Sequence, residues 1–252
     1  MGYISEFTAG QLVIFYFVAV LIGMSKTGIH GTGMLAVPLL AMIFGGIASS
    51  GVLLPILCIA DVFGVLYYHR HASWKHLKSL FPSAAVGIVA GSVAGSYIDD
   101  RTFKLIMAVV ILGSIILMLW MEKSHKKDIP QSRIFSNVAG GAGGFTSMIG
   151  NLAGSIMAVY FISVRLPKNI FIGTTAWFFL MINLFKIPFH VFHWKTITIG
   201  TALLDLTTVP AVAVGAIIGI AIVRKMSDTG YRWFILGMTA IAAIGMVAQN
   251  YV

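Results

Sequence analysis

Two glycine-rich, polar stretches interrupt otherwise apolar sequence, and they limit what the chain can fold into more than any other feature. The first, Gly23-Met-Ser-Lys-Thr-Gly-Ile-His-Gly-Thr-Gly33, lies between the apolar runs Leu12 to Ile22 and Met34 to Phe44. The second, Gly144-Phe-Thr-Ser-Met-Ile-Gly-Asn-Leu-Ala-Gly154, follows at an offset of 121 residues, with Gly23 over Gly144, Gly33 over Gly154, Ser25 over Thr146 and His30 over Asn151. Backbone groups that leave a helix inside hydrocarbon find no water, so such breaks persist only where protein or a water-filled cavity satisfies them. Two matched breaks predict a paired site inside a membrane.

The rest of the chain suits that setting. Of 252 residues, 58 % are hydrophobic and 10 % charged, against roughly 45–50 % and about 25 % in soluble domains. The chain reads as an all-α polytopic membrane protein. A net charge of +9 would suggest nucleic acid in a soluble chain, but the 17 Lys and Arg fall mostly in short loops between apolar runs, where they set orientation. No nucleic-acid partner follows from them. The single Cys58 excludes an intramolecular disulfide and a multi-cysteine metal site. The N-terminus lacks the basic n-region of a cleaved signal, so the first apolar run is expected to be retained.

Each broken pair, Gly10 to Phe44 and Phe135 to Val164, has arms of about 12–16 residues, short for the roughly 20 that span a bilayer. Spanning-length runs follow the first pair at Ser49 to Tyr68, Leu80 to Tyr97 and Phe103 to Met121, and the second at Ile170 to Phe189, Thr196 to Val223 and Tyr231 to Tyr251. This divides the chain into a first repeat (1–121), a hydrophilic connector (122–134) and a second repeat (135–252). Trp74-Lys75 recurs as Trp194-Lys195, while Pro82, Gly87 and Gly91 recur as Pro210, Gly215 and Gly219. The register slips from 120 to 128 between these sets, which predicts about eight extra residues around Thr196 to Leu204.

Charge decides between hairpins and single crossings. If each broken pair is a hairpin whose ends emerge on one side, twelve basic loop residues face the cytoplasm and only Arg101, Lys104, Lys186 and Lys195 face out. Single crossings split the same residues nine to seven, so the positive-inside rule favours hairpins. The two hairpins then enter from opposite faces, making the halves inverted repeats with both termini outside, an arrangement suited to alternating access.

The candidate site follows from the breaks. A phosphate-binding P-loop would need Gly where Ser25 and Val20 stand, so that reading fails. What remains is a turn at membrane depth with the hydroxyls of Ser25, Thr27 and Thr32, the side chains of Lys26 and His30, and the backbone of Gly31 to Gly33. Facing it are Thr146, Ser147, Gly150, Asn151 and Gly154. Half-helix N-termini near Gly33 and Gly154 carry partial positive charge and, with Lys26, favour an anion. Asp61 and Asp205 fall well inside their runs, where carboxylates are costly and usually functional, so each is a candidate proton carrier; a structural pair of either with Lys26 or another buried polar group is the alternative. Lys186 lies nearer the outer end of its run and is expected to snorkel. His69, His71 and His76, among Arg70, Trp74 and Lys75, are expected to anchor the chain at an interface rather than to bind metal.

Gly23-Met-Ser-Lys-Thr-Gly-Ile-His-Gly-Thr-Gly-Met-Leu-Ala-Val-Pro-Leu-Leu and the second stretch resemble the two glycine-rich signatures of the TauE/SafE sulfite exporter family. Lys26, Thr27, Gly31 and Gly33 fall in the first signature, and Thr146, Ser147, Gly150, Asn151 and Gly154 in the second; His30 and Thr32 depart from a pattern usually richer in glycine. The resemblance implies a duplicated membrane permease for sulfite, organosulfonates or related small anions. No cofactor is expected, and the partners are the anion, the lipid bilayer and protons as coupling ion. A channel or cation/proton exchanger is the rival function. An enzyme is not expected, since the chain has neither a Gly-x-Ser-x-Gly elbow nor a His-Glu-x-x-His pair. The expected location is the bacterial cytoplasmic membrane.

Overall fold

Helix α1 (Ala9–Lys26) starts at a capping box, in which Thr8 accepts from the Gln11 N–H and Gln11 accepts from the Thr8 N–H. A 3₁₀ turn (Thr32–Leu35) leads into α2 (Ala36–Phe44), and Gly45 at φ 85° turns the chain into α3 (Gly46–Tyr68). After the turn His69–His71 comes α4 (Trp74–Gly95). The second half holds α5 (Arg133–Gly150), α6 (Ala153–Ser163), α7 (Lys168–Pro188) with a π turn (Phe189–His193), α8 (Ile199–Leu206) and α9 (Val209–Arg224). This computed structural model describes residues 7–29, 32–99 and 132–231, and singly the helical residues 102, 105, 106, 109, 113, 233, 234 and 237. Most of the runs expected at 103–121 and 231–251, and most of the connector 122–134, lie outside the described residues. Among the described residues there are helices and no strands.

Among the described residues, four helices are long and apolar enough to cross a membrane: Ala9–Lys26, Ile47–His71, Trp74–Gly95 and Lys168–His193. The bent pair α8 and α9, at 47°, adds a fifth if it is one span. The eight residues of α8 occupy the stretch where the register slip calls for an insertion, and Pro210, with no N–H to offer, stands in the first turn of α9. The arms of the first broken pair are unequal, which corrects the expectation of two short ones. At 18 residues, α1 is about 27 Å long, whereas α2 has nine residues and reaches only about 14 Å. The reason lies in Gly23, which does not break α1. It stays inside the helix, where a Cβ would lie 2.2 Å from the Val212 carbonyl oxygen of α9.

Each broken pair folds back on itself. The ring of Phe7, just before α1, lies 5.4 Å from that of Phe44 at the end of α2. Phe135 at the start of α5 stacks at 5.4 Å on Tyr160 near the end of α6. A one-way crossing would hold these ends a full helix length apart. The tips are buried in different clusters: Ile149 and Leu152 pack with Phe15, Ile22, Leu40 and Leu53, while Ile29 packs with Phe161, Ile172, Val223 and Tyr231.

Two of the helix crossings are made on glycines. α1 crosses α9 where Gly23 meets Val212 O and Gly215 meets Val20 O, and α5 crosses α4 where Gly144 meets Ala84 O and Gly87 meets Gly141 O. Without Cβ atoms the helices approach closely enough to replace the missing hydrophobic drive with dense van der Waals contact. α3 and α7 pack on each other between the two crossings.

Candidate functional site

Lys26 closes α1 and turns its side chain toward α3. Its Nζ lies 2.9 Å from Asp61 Oδ1, with Lys26 10 % exposed and Asp61 not at all. The ammonium also sits 3.9 Å from the centre of the Phe179 ring on α7, a cation–π contact. The backbone fixes this placement, because Gly64 of α3 leaves room for the Lys26 carbonyl, which a Cβ there would meet at 2.6 Å. The second oxygen of Asp61 accepts from Asn183 Nδ2 of α7 at 2.6 Å.

One turn further along α7, Lys186 is fully buried. It donates to Ser147 Oγ at 2.9 Å, to Ser147 O at 3.1 Å and to Asn151 Oδ1 at 2.5 Å. Asn151 turns the chain in the left-handed region at φ 56°, a conformation Asn tolerates better than most residues, and its Nδ2 donates to Ser50 O at the start of α3. Lys186 thus brings hydrogen-bond donors to the C-terminal end of α5, where unpaired carbonyls concentrate partial negative charge. Asn183 and Lys186, at i and i+3 on one face of α7, set two polar clusters one turn apart: Lys26, Asp61 and Asn183 in one, Lys186, Ser147 and Asn151 in the other.

The expected snorkelling of Lys186 is therefore wrong. Counted from the end of the apolar run, Lys186 seems close to the membrane surface. The span in fact continues through the π turn to His193, four residues past the end of that run at Phe189, so Lys186 lies about 6 Å deeper than the run suggests. The signal was in the sequence as the i, i+3 pair of polar residues inside an apolar run. His76 is also not a surface anchor, being buried with Nδ1 2.9 Å from the Tyr160 hydroxyl, which itself lies 3.1 Å from Ser136 Oγ.

The other expected site residues divide. Thr27 is buried and its hydroxyl faces the carbonyls of Gly23 at 2.9 Å and Ala216 at 3.1 Å. Thr32 turns to the carbonyls of Leu21 and Ile29, each at 3.0 Å, and Thr146 to Ala142 O at 2.8 Å. These three hydroxyls satisfy backbone at helix ends, a common local use of Thr. Ser25 packs toward Gly33, whose Cβ, if present, would meet Ser25 Oγ at 2.8 Å. Gly150 ends α5 in a buried position, Gly154 lies in the first turn of α6, and His30 and Gly31 lie outside the described residues. Asp205 stands apart, fully buried at the end of α8 with neither carboxylate oxygen hydrogen-bonded among the described residues.

The two interruptions do not touch tip to tip. Lys26 meets α3 at Asp61 and Gly64, whereas Asn151 meets it at Ser50; Gly64 and Ser50 are 14 residues apart, about 21 Å along the helix. α7 bridges that distance. No group of three or more His, Cys, Asp or Glu among the described residues could hold a metal.

Apolar helices of spanning length, two hairpins with polar tips and two lysines held inside the bundle define a multi-pass membrane protein with a charged interior. Its family is the one described as Sulfite exporter TauE/SafE, whose model matches residues 15–246, nearly the whole chain, and the protein belongs to it. It is accordingly a member of a membrane transporter family rather than of an enzyme class. No curated protein matches the chain, and no solved structure does.

Proposed function

We propose that the protein is a secondary transporter of small anions, with sulfite, an organosulfonate or a related sulfur oxyanion or carboxylate as substrate. It works by alternating access between inverted repeats, residues 1–121 and 135–252, joined by the cytoplasmic connector 122–134. It resides in the bacterial cytoplasmic membrane with both termini outside. The family supports a small sulfur-containing anion. Each hairpin closes on itself, and the α1 to α9 crossing uses positions offset by 121 and 128 residues from those at the α5 to α4 crossing; both observations support the duplication.

The observation that carries the reading is Lys26, a cation still 10 % exposed and ion-paired to a carboxylate within the bundle. An anion reaching Lys26 competes with Asp61 for it. Once displaced, Asp61 is a buried carboxylate without its counterion and takes up a proton, because an isolated charge costs many kcal/mol in a low-dielectric interior. The anion and the proton then occupy the site together, which couples their movement. Ser147 and Asn151, aligned by Lys186, present the second hairpin to the same pathway, and Asp205 is a second proton carrier.

Uptake into proteoliposomes tests this. Sulfite uptake is expected to saturate, to be competed by sulfonates and to be indifferent to the accompanying cation. Non-saturating flux would mean a channel, and flux that follows the cation would mean a cation/proton exchanger.

A further inference from the structure

A second basic site lies away from this network, where α4 and α5 both begin. Lys75, Lys78 and Arg133 line a cavity of about 520 Å³ together with His76, Ser136 and Tyr160, and no acidic residue among the described residues lines it. All three basic side chains are exposed, while the polar floor is buried and fixed by the His76 to Tyr160 to Ser136 hydrogen bonds. The cavity also receives the N-terminal ends of two long helices, Trp74–Gly95 and Arg133–Gly150, whose dipoles add positive potential. Its chemistry fits a phosphate-bearing group.

The cavity does not end at the basic residues. Pro82 and Asn137 belong both to it and to an adjoining groove of about 710 Å³ between α4 and α5. Gly87, Ala90, Gly141 and Ala142 form the trough of that groove and Val86 and Phe145 its apolar walls. Val86 is 70 % exposed, so the trough opens away from the protein interior. From Arg133 to Phe145 is 12 residues, about 18 Å along α5, close to the depth of one leaflet, half of a roughly 30 Å hydrocarbon core. A free anion would use the basic end and leave the trough without purpose.

We propose that this composite site holds one anionic phospholipid, its phosphate between Lys75, Lys78 and Arg133 and an acyl chain along the α4 to α5 trough. Basic pockets beside transmembrane helices are suited to such headgroups, at about 1 kcal/mol, or roughly fivefold in affinity, per cationic side chain. The trough ends at Thr146, beside the Ser147 that Lys186 holds, so the lipid braces the second hairpin. The proposal rests on the membrane setting and not on the transported substrate.

Native mass spectrometry of the full-length protein, titrated with phosphatidylglycerol or phosphatidylcholine of matched chains, tests it. Phosphatidylglycerol is expected to bind at least tenfold more tightly. The triple variant Lys75→Gln, Lys78→Gln, Arg133→Gln, all exposed positions, should lose on the order of a hundredfold of that affinity. Ala142→Trp, at an exposed position in the trough, should weaken phosphatidylglycerol binding with the basic end intact. Equal binding of the two lipids, or unchanged phosphatidylglycerol affinity in a monodisperse triple variant, overturns the proposal. So does displacement of phosphatidylglycerol by millimolar inorganic phosphate combined with wild-type affinity in Ala142→Trp, which would assign the cavity to a soluble anion.

Discussion

Lys26→Met is expected to weaken saturable anion uptake about tenfold to hundredfold, while Asp61→Asn keeps anion exchange and loses its dependence on a pH gradient. The two residues form one ion pair at 2.9 Å, so a purely structural role would make the two losses alike. Removing either partner from a buried pair costs about 3–5 kcal/mol because the other charge is left uncompensated. Asn at 61 softens that cost, since its side-chain oxygen can still accept from Lys26, but it cannot bind and release a proton. Met at 26 removes the charge proposed to hold the anion, and a charged hydrogen bond worth roughly 1.5–3 kcal/mol corresponds to about a tenfold to hundredfold loss of binding. Exchange and gradient-driven uptake, measured in the same proteoliposomes, separate the outcomes. Equal loss of both activities in both variants would reduce the pair to a structural clasp.

Lys186→Met is the second large effect, and here function and stability should part. Lys186 makes three hydrogen bonds with Ser147 and Asn151, each worth roughly 1.5–3 kcal/mol, while burying its charge costs several kcal/mol. The opposing contributions nearly cancel, and Met fills similar volume. Folded yield is therefore expected to stay within about twofold of wild type, with a melting temperature shifted by only a few degrees. Uptake should fall at least a hundredfold, because Ser147 and Asn151 lose the group that aligns them. Fluorescence-detected size exclusion alongside uptake checks both. Loss of folded protein in step with uptake would make Lys186 a packing residue.

The hairpins could be read from the sequence because two independent signals agreed: the glycine-rich breaks, and a basic-residue count that only a fold-back arrangement made one-sided. The contacts of Phe7 with Phe44 and Phe135 with Tyr160 have that geometry. A structural pairing of Lys26 with a buried carboxylate was legible as an alternative, but that Asp61 and not Asp205 is the partner came only from the fold. Depth was not legible. Gly23 reads as a helix breaker in sequence, yet it serves as the contact point of α1 with α9, so α1 runs on and carries its tip past the middle of α3. The π turn after Pro188 lengthens α7 in the same hidden way and draws Lys186 inside. The hydroxyls of Thr27, Thr32 and Thr146 illustrate another limit. A threonine beside a helix break looks the same in sequence whether it binds a ligand or a carbonyl of its own turn.

In the proposed mechanism one site near Lys26 opens to each side of the membrane in turn. Ser25, half-buried beside it, offers the probe, since Cys58→Ser leaves no other thiol in the chain. Ser25→Cys in that background is treated with a membrane-impermeant maleimide from either side of sealed vesicles, with and without sulfite. Labelling is expected from one side at a time, switching when the anion gradient is reversed and slowed at least tenfold by saturating sulfite. Equal labelling from both sides that sulfite leaves unchanged would contradict alternating access at Lys26.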